Sequence, residues 1–404
     1  IRDSLQPGEN GPGPPPPREG PTLRRRAMRE QPRKQWFRRL LRRARNEAVL
    51  CASFAAALLS ALFVPPDAAY LTYIDLRVLC LLFALMAVVQ GVSRCGLFDV
   101  LSQRLLGGER TLRALSLLLV LLPFFISMLM TNDVALIALV PFTLFLLRQA
   151  EAEALAVRVC VLQAVAANLG SMFTPIGNPQ NLYLFSLSGM GVPEFLELMW
   201  LYTGLAAFML TVVVLVFYPE EHLQLDIKTE RLKDKRTVCF YLVLFALCVL
   251  TVAHFVPHLV LLAIVAAALL YKNKNLFRQI DYSLLLTFLF FFIFVGNMNH
   301  IGSLHSFINQ ILAGNEVLIS VAVSQVISNV PAAMLLSGYS NNYTALIVGT
   351  NLGGLGTLIA SMASLISYKQ VAAKYPHLRR QYLAIFTVDN LIFLAALYAL
   401  HAFY

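Results

Sequence analysis

The sequence predicts an all-α polytopic membrane protein: an inverted-topology repeat with about nine transmembrane helices and two re-entrant hairpins. Three observations predict it. Of 404 residues, 58% are hydrophobic and only 13% are charged, against about 25% charged in soluble domains. That leaves too little polar side chain to cover a water-facing surface of this size. The apolar residues also fall in long runs, such as 114–130, 198–217, 237–253 and 283–296. An uncharged run of about 18 residues can cross roughly 30 Å of hydrocarbon as a helix, and these runs lack the polar alternation of membrane-barrel strands. Finally, the two halves of the chain carry the same series of features in the same order.

The first element is a basic tail. Residues 1–47 hold 13 Lys/Arg and 5 Asp/Glu, most of the net charge of +10. The proline run Pro14 to Pro17 reads as disordered. Arg24 to Arg45, interleaved with Trp36, Phe37, Leu40 and Leu41, reads as a basic helix on an anionic leaflet or as a plain positive-inside signal. The stretch is far too long for the basic region of a secretory signal. No aromatic-basic platform follows it, so no nucleic-acid partner is expected. The six cysteines stand singly without metal-ligand spacing and read as small core residues.

Crossings are expected at about 48–65, 76–94, 158–187, 198–217, 237–254, 258–271, 282–298, 344–368 and 382–402. With the tail cytoplasmic, 31 of the 32 Lys and Arg fall in segments on the inner side, and Arg77 is the exception. So strict a partition supports both the spans and a plasma (inner) membrane orientation with a cytoplasmic N-terminus. Segment 114–148 lies between Arg113 and Arg148, so it enters from inside and returns inside. Segment 316–340 has neither Lys nor Arg at its ends and opens outward. Each reads as a hairpin of two half-helices with a polar tip, Thr131-Asn132-Asp133 in one and Ser328-Asn329-Val330-Pro331 in the other. The domains are then the tail 1–47, a first repeat 48–217 with hairpin 114–148 and broken helix 158–187, a cytoplasmic linker 218–236, and a second repeat 237–402 with hairpin 316–340 and broken helix 344–368.

The repeat is visible residue by residue. Asp75 and Asp281 each lead a span, as do their neighbours Ile74 and Ile280, and those spans end at Gly96 and Gly302. Asn168-Leu169-Gly170-Ser171-Met172-Phe173-Thr174-Pro175-Ile176-Gly177 matches the ten residues from Asn351 to Ala360 at five positions, with an offset of 183. The charge partition gives the copies opposite orientation. Two opposed copies can exchange conformations about one central site, which predicts a transporter working by alternating access.

The chemistry is expected where tips and breaks meet. Pro175 and Pro179 remove backbone donors and interrupt the first broken helix. Freed carbonyls then suit a cation, and half-helix N-termini suit an anion. Asn168, Gly170, Thr174, Gly177 and Asn178 in the first break, and Asn351, Gly353 and Thr357 in the second, are the candidate binding residues, together with Thr131, Asn132, Asp133, Ser328 and Asn329 at the tips. Glycines at such places also serve close helix packing. Asp133 stands out, because a carboxylate amid apolar residues in a bilayer must be paired, hydrated or protonated. Asp389 is either a second relay or a structural partner; Gln163 and Gln325 face either a cavity or a neighbour. Asn297, Asn299 and His300 read as an outer interface. There is no GxSxG, P-loop or HExxH motif, so no enzymatic activity and no cofactor are expected. The driving force is expected from a Na+ or H+ gradient.

The Thr131-Asn132-Asp133 tip followed by a helix with Pro141, the stretch from Asn168 to Pro179, and Ser328-Asn329-Val330-Pro331 resemble the ion transporter superfamily. That group includes divalent anion–sodium symporters, citrate transporters, arsenite permeases and one type of sodium–proton antiporter. The resemblance covers about residues 48–402. It implies a homodimer in which a mobile transport domain moves against a scaffold. It also implies one sodium site framed by Thr131, Asn132 and Gly170 and another by Ser328, Asn329 and Gly353. The symporters' Ser-Asn-Thr tips differ here at the third position, where Asp133 and Val330 replace threonine. The substrate class implied is a small anion, either a carboxylate such as citrate or a dicarboxylate, or an arsenite-like oxyanion. Na+/H+ antiport through Asp133 is the alternative.

Overall fold

Polar groups at the helix starts fix the frame. Asp75 caps Leu76–Arg94 by accepting from Val78 N at 3.0 Å, and Asp281 caps Tyr282–Asn299 by accepting from Leu284 N at 3.0 Å. The two aspartates that match in the repeat thus do the same local work, satisfying backbone donors that a helix start leaves unpaired. A computed structural model describes residues 47–68, 70–96, 100, 108–225, 234–300 and 308–403. The expected basic tail, the rest of the stretch after Gly96, Gly302 and the middle of the linker lie outside the described residues. Residues from Ala52 onward form one compact unit, and those up to Cys51 form a separate one.

The first half runs α1 (Ala48–Ser60), α2 (Tyr70–Tyr73), α3 (Leu76–Arg94), α4 (Leu112–Ile126), α5 (Asn132–Gln149), α6 (Ala156–Ser171), α7 (Pro179–Ser188) and α8 (Val192–Phe217). The second half runs α9 (Lys235–Val252), α10 (His258–Lys272), α11 (Tyr282–Asn299), α12 (Glu316–Ile327), α13 (Asn329–Leu336), α14 (Tyr343–Leu352), α15 (Met362–Lys374) and α16 (Arg379–Phe403). Two strands, β1 (Gly108–Thr111) and β2 (His222–Leu225), pair antiparallel with Thr111 opposite His222. Among the described residues the chain is otherwise helical or irregular, and the hydropathy pattern does not reveal this short ribbon.

Among the described residues, six helical segments are long and apolar enough to cross a membrane, and five shorter apolar helices accompany them. This is an integral membrane protein, but the helix boundaries differ from the expected spans. The expected crossing 48–65 is only α1, 13 residues long and about 20 Å by helical rise; Pro65 and Pro66 prevent its continuation. The segment 114–148 is expected to be two half-helices, yet its second arm α5 has 18 residues and satisfies the crossing criterion by itself. The segments 158–187 and 344–368 are each two helices, interrupted at 172–178 and 353–361.

The core centres on α6, in which every residue but Arg158 is buried. α4, α5, α8, α15 and α16 pack around it, while α9 and α10 pack on α3. The contacts obey a reciprocal pattern. α4 lies on α6 as α12 lies on α14, α5 on α15 as α13 on α7, and α6 on α15 as α14 on α7. Tyr183 of α7 fits between Phe288 and Phe292 of α11, with ring centroids 5.9 and 5.8 Å away. Asn297 is buried rather than interfacial, donating to Ser60 Oγ at 3.0 Å and Tyr70 OH at 2.8 Å. Arg77 donates to His254 Nδ1 at 2.9 Å, tying the start of α3 to the α9–α10 turn. Burial, then the Arg77 charge, holds the His254 imidazole below its usual value, consistent with a neutral acceptor ring. Of the six cysteines, three are buried, but Cys51 and Cys239 are exposed, so the core assignment holds for only part of the set.

Gly170 sits where α6 crosses the end of α4. A Cβ there would lie 2.0 Å from Phe124 O, a contact with backbone that cannot move aside cheaply. Gly170→Ala is expected to lower stability by about 1–3 kcal/mol, measured as reduced chemical or thermal stability of the purified protein in detergent. Gly204→Ala, where a Cβ meets nothing within 4 Å, is the control expected to be neutral.

Candidate functional site

The site is built from two interrupted helices and two helix–helix tips. α6 ends at Ser171 and α7 begins at Pro179; α14 ends at Leu352 and α15 begins at Met362. The tips are the turn before α5, at Met130 to Asn132, and the junction of α12 with α13 at Ser328. Ser328 has φ 75° and ψ 154°, a conformation that strains any residue with a Cβ. Two bonds from the second break hold it there: Ser328 Oγ donates to Ala360 O at 3.2 Å and Asn329 N donates to the same carbonyl at 3.0 Å.

Asn168 is the hub. Its Oδ1 accepts from Asn132 Nδ2 of the first tip at 2.8 Å and from Ser361 Oγ of the second break at 2.7 Å. Its Nδ2 donates to Ser364 Oγ at 3.2 Å and to Gly354 O at 3.5 Å. Asn351, its repeat equivalent, donates to Asn181 Oδ1 at 2.6 Å. The offset of 183 that carries Asn168 onto Asn351 also carries Asn181 onto Ser364. The two bonds are therefore the same bond drawn from opposite copies, each crossing from one broken helix to the other.

The carbonyls of the breaks are gripped by amide side chains. Asn181 Nδ2 reaches Ser171 O and Thr174 O, both at 3.2 Å. Gln325 Nε2 reaches Gly353 O at 3.1 Å and Leu355 O at 2.9 Å, while its Oε1 accepts from Thr357 N at 2.8 Å. A carbonyl oxygen has two lone pairs, so each retains capacity for a hard cation. Asn178 Nδ2 donates to Ser171 Oγ at 2.6 Å, and Thr174 Oγ1 donates to Met128 O beside the first tip. Gly177, Gly353 and Gly354 permit these approaches: a Cβ on Gly353 would lie 2.5 Å from Ser324 Oγ, and one on Gly177 2.2 Å from Ser171 O.

Four helix starts border this network: α5, α7, α13 and α15, with N-caps Thr131, Asn178, Ser328 and Ser361. None of these side chains caps its own helix. Asn178, Ser328 and Ser361 turn their polar atoms to the network instead. Helix N-termini without such caps favour an anion by both donors and dipole. Asp133, one residue into α5, donates its N–H to Asn132 Oδ1 at 2.9 Å. Its Oδ1 is buried without a partner. A carboxylate oxygen without a protein partner suits a proton or a hard cation by charge.

Of the candidate residues, the structure joins Asn132, Asn168, Asn178, Ser328, Asn329 and Asn351 to this polar centre, with Gly170, Gly177 and Gly353 as close-packing positions. Thr357 is exposed and bonded to Gln325, with no hydrogen bond to Asn168 or its partners. Gln163 is a structural partner, buried on Thr143 and Leu119 O. Ser364 escaped sequence reasoning, although the repeat offset from Asn181 pointed to it. Gln180, buried with both amide atoms unpartnered at the start of α7, escaped as well; nothing in its sequence context sets it apart from a packing residue.

Comparison with known proteins gives the same reading from outside. The chain is 34% identical to an uncharacterized transporter of Methanocaldococcus jannaschii over 292 residues, 71% of this chain and 79% of that protein. It is 33% identical to the inner membrane protein YbiR of Escherichia coli over 301 residues, 73% of this chain and 80% of that one. A silicon efflux transporter of Oryza sativa subsp. japonica is 36% identical over 133 residues, 33% of this chain and 27% of that protein. The profile of the citrate transporter family matches residues 40–341, a stretch that holds both tips and the whole first break, and the chain belongs to that family of membrane transporters within the ion transporter superfamily.

Proposed function

We propose that this chain is a secondary active transporter that carries a small anion across the membrane by alternating access, coupled to Na+ or H+. The observation that carries the reading is the pair of reciprocal bonds, Asn168 to Ser364 and Asn351 to Asn181. They tie the two broken helices together in the pattern that a two-fold relation between opposed copies requires, and the reciprocal helix contacts agree. Such a centre can be opened to either side by exchanging the conformations of the copies. The tips then act as re-entrant hairpins, 114–148 from inside and 316–340 from outside, in a protein whose N-terminus is cytoplasmic.

The substrate class is read from the four helix starts without N-cap side-chain bonds, whose positive dipole ends favour an anion. A carboxylate such as citrate fits, as does an oxyanion of the arsenite type. The rice relative's name, a silicon efflux transporter, extends the reading to an inorganic substrate and to export. Thr131, Asn132 and Gly170, with Ser328, Asn329 and Gly353, frame the two cation sites. Asp133 is the coupling residue: ionised it would repel the anion, and a bound Na+ or proton removes that repulsion. The unpartnered Oδ1 also favours a second reading, Na+/H+ antiport through Asp133 without an anion.

Liposomes containing the purified protein separate the two. Sodium- or proton-driven accumulation of labelled citrate, succinate or arsenite is expected; dissipation of a pH gradient by Na+ alone would favour antiport. Asp133→Asn is expected to reduce ion-driven uptake to background with unchanged expression, and unaltered pH and Na+ dependence would remove Asp133 from the mechanism. Asn168→Ala is expected to cost about 1–3 kcal/mol by stranding buried polar groups. A double-mutant cycle of Asn168→Ala with Ser364→Ala, and another of Asn351→Ala with Asn181→Ala, is expected to give coupling of about 0.5–3 kcal/mol in each. Coupling in one cycle alone would refute the two-fold equivalence.

A further inference from the structure

A second cavity lies away from this centre, on the membrane-facing side of the bundle. It holds about 380 Å³ and is walled by α6, α8 and α16. Three of its apolar lining residues, Phe217, Val388 and Ile392, are more than half exposed and sit on helices long and apolar enough to cross the bilayer. The cavity therefore opens toward hydrocarbon.

Its polar lining is small and specific: Arg158, Asp389 and Tyr218. Arg158 is the single unburied residue of α6. The Tyr218 hydroxyl is buried without a hydrogen-bond partner, while the tyrosine's backbone carbonyl is occupied by Arg113 Nε at 3.0 Å. Asp389 is half-buried, and its neighbour Asn390 turns inward, accepting from Gly356 N at 3.4 Å. Among the described residues no salt bridge joins Arg158 to Asp389. A cation and a carboxylate thus line one apolar crevice with no salt bridge between them. Arg158 lies in the first turn of α6 and Asp389 about three turns into α16, a range of depth at which a lipid headgroup meets a protein.

We propose that the crevice binds a membrane phospholipid whose headgroup carries both a phosphate and a protonated primary amine. The phosphate takes Arg158, since a guanidinium suits an oxyanion, while Tyr218, whose hydroxyl is enclosed, forms part of the wall. The ammonium donates to Asp389, and an acyl chain runs along Phe217, Val388 and Ile392. A choline headgroup has the same charges but no N–H to give Asp389, and a glycerol headgroup has no cation. Because Asn390 holds the second break from the adjacent position on α16, the lipid occupies the outer face of the helix that buttresses the polar centre.

The test uses the full-length protein freed of lipid in detergent, titrated with dioleoyl phosphatidylethanolamine, phosphatidylcholine or phosphatidylglycerol, and read by native mass spectrometry. The ethanolamine lipid is expected to bind about tenfold more tightly than the choline lipid, the scale of one charge-assisted hydrogen bond. Arg158→Gln is expected to weaken binding of all three lipids. Asp389→Asn is expected to abolish the ethanolamine preference while choline-lipid binding persists. Val388→Trp fills the cavity without touching a charge and is expected to prevent binding even if the charge variants fold poorly. Equal affinity of the wild type for the ethanolamine and choline lipids, or a preference that survives Val388→Trp, would overturn the proposal.

Discussion

A backbone that leaves the helix inside a bilayer must satisfy its own amides and carbonyls, because hydrocarbon offers no partner. Among the described residues two helical segments of this membrane protein are interrupted, at 172–178 and 353–361, and much of the central architecture satisfies the backbone freed there. Asn181 and Gln325 grip the freed carbonyls. Glycines let neighbouring chains come close enough to do it: Gly356, at φ 107°, leaves room where a Cβ would fall 2.2 Å from Gln325 Oε1. The polar residues of the site are thus structural first, and the spare lone pairs and uncapped helix starts they leave are what a substrate or ion can use.

The same bonds that satisfy the backbone join the copies. Asn168 touches the first tip, the second break and α15 at once, so neither half of the site can shift without disturbing the other. The strained Ser328 is held by bonds to Ala360 that belong to this conformation. Strain of this kind is retained where the surroundings over-determine it.

α16 joins the centre to an exposed apolar face. Its inward residues, Tyr382, Phe386, Asn390, Phe393 and Leu397, are buried, whereas Val388, Leu391 and Ile392 are exposed. Asn390 bonds the second break and Asp389 faces the outer crevice. Two adjacent polar residues on one helix thereby serve opposite faces, which a hydropathy profile records as a single polar interruption.

Membrane class, the placement of both helix breaks and the polar character of both tips were legible in the sequence alone. Those features are local: apolar runs report burial in lipid, and proline with glycine reports backbone that cannot continue as helix. The family resemblance was legible for the same reason, since it rests on contiguous motifs. Tertiary structure decided the rest. It ended α1 well before its apolar run did, gave α5 the length of a crossing, paired β1 with β2, and moved Thr357 to an exposed position outside the asparagine network. It also chose the partners, setting Asn168 against Ser364 and Asn351 against Asn181, and gathering Arg158, Tyr218 and Asp389 around one crevice. The asparagine pairings join residues as much as 196 positions apart, and hydrogen bonding is short-ranged and directional. A chain's composition can show that such a group needs a partner, but only the packing of the helices brings the partner within 3 Å.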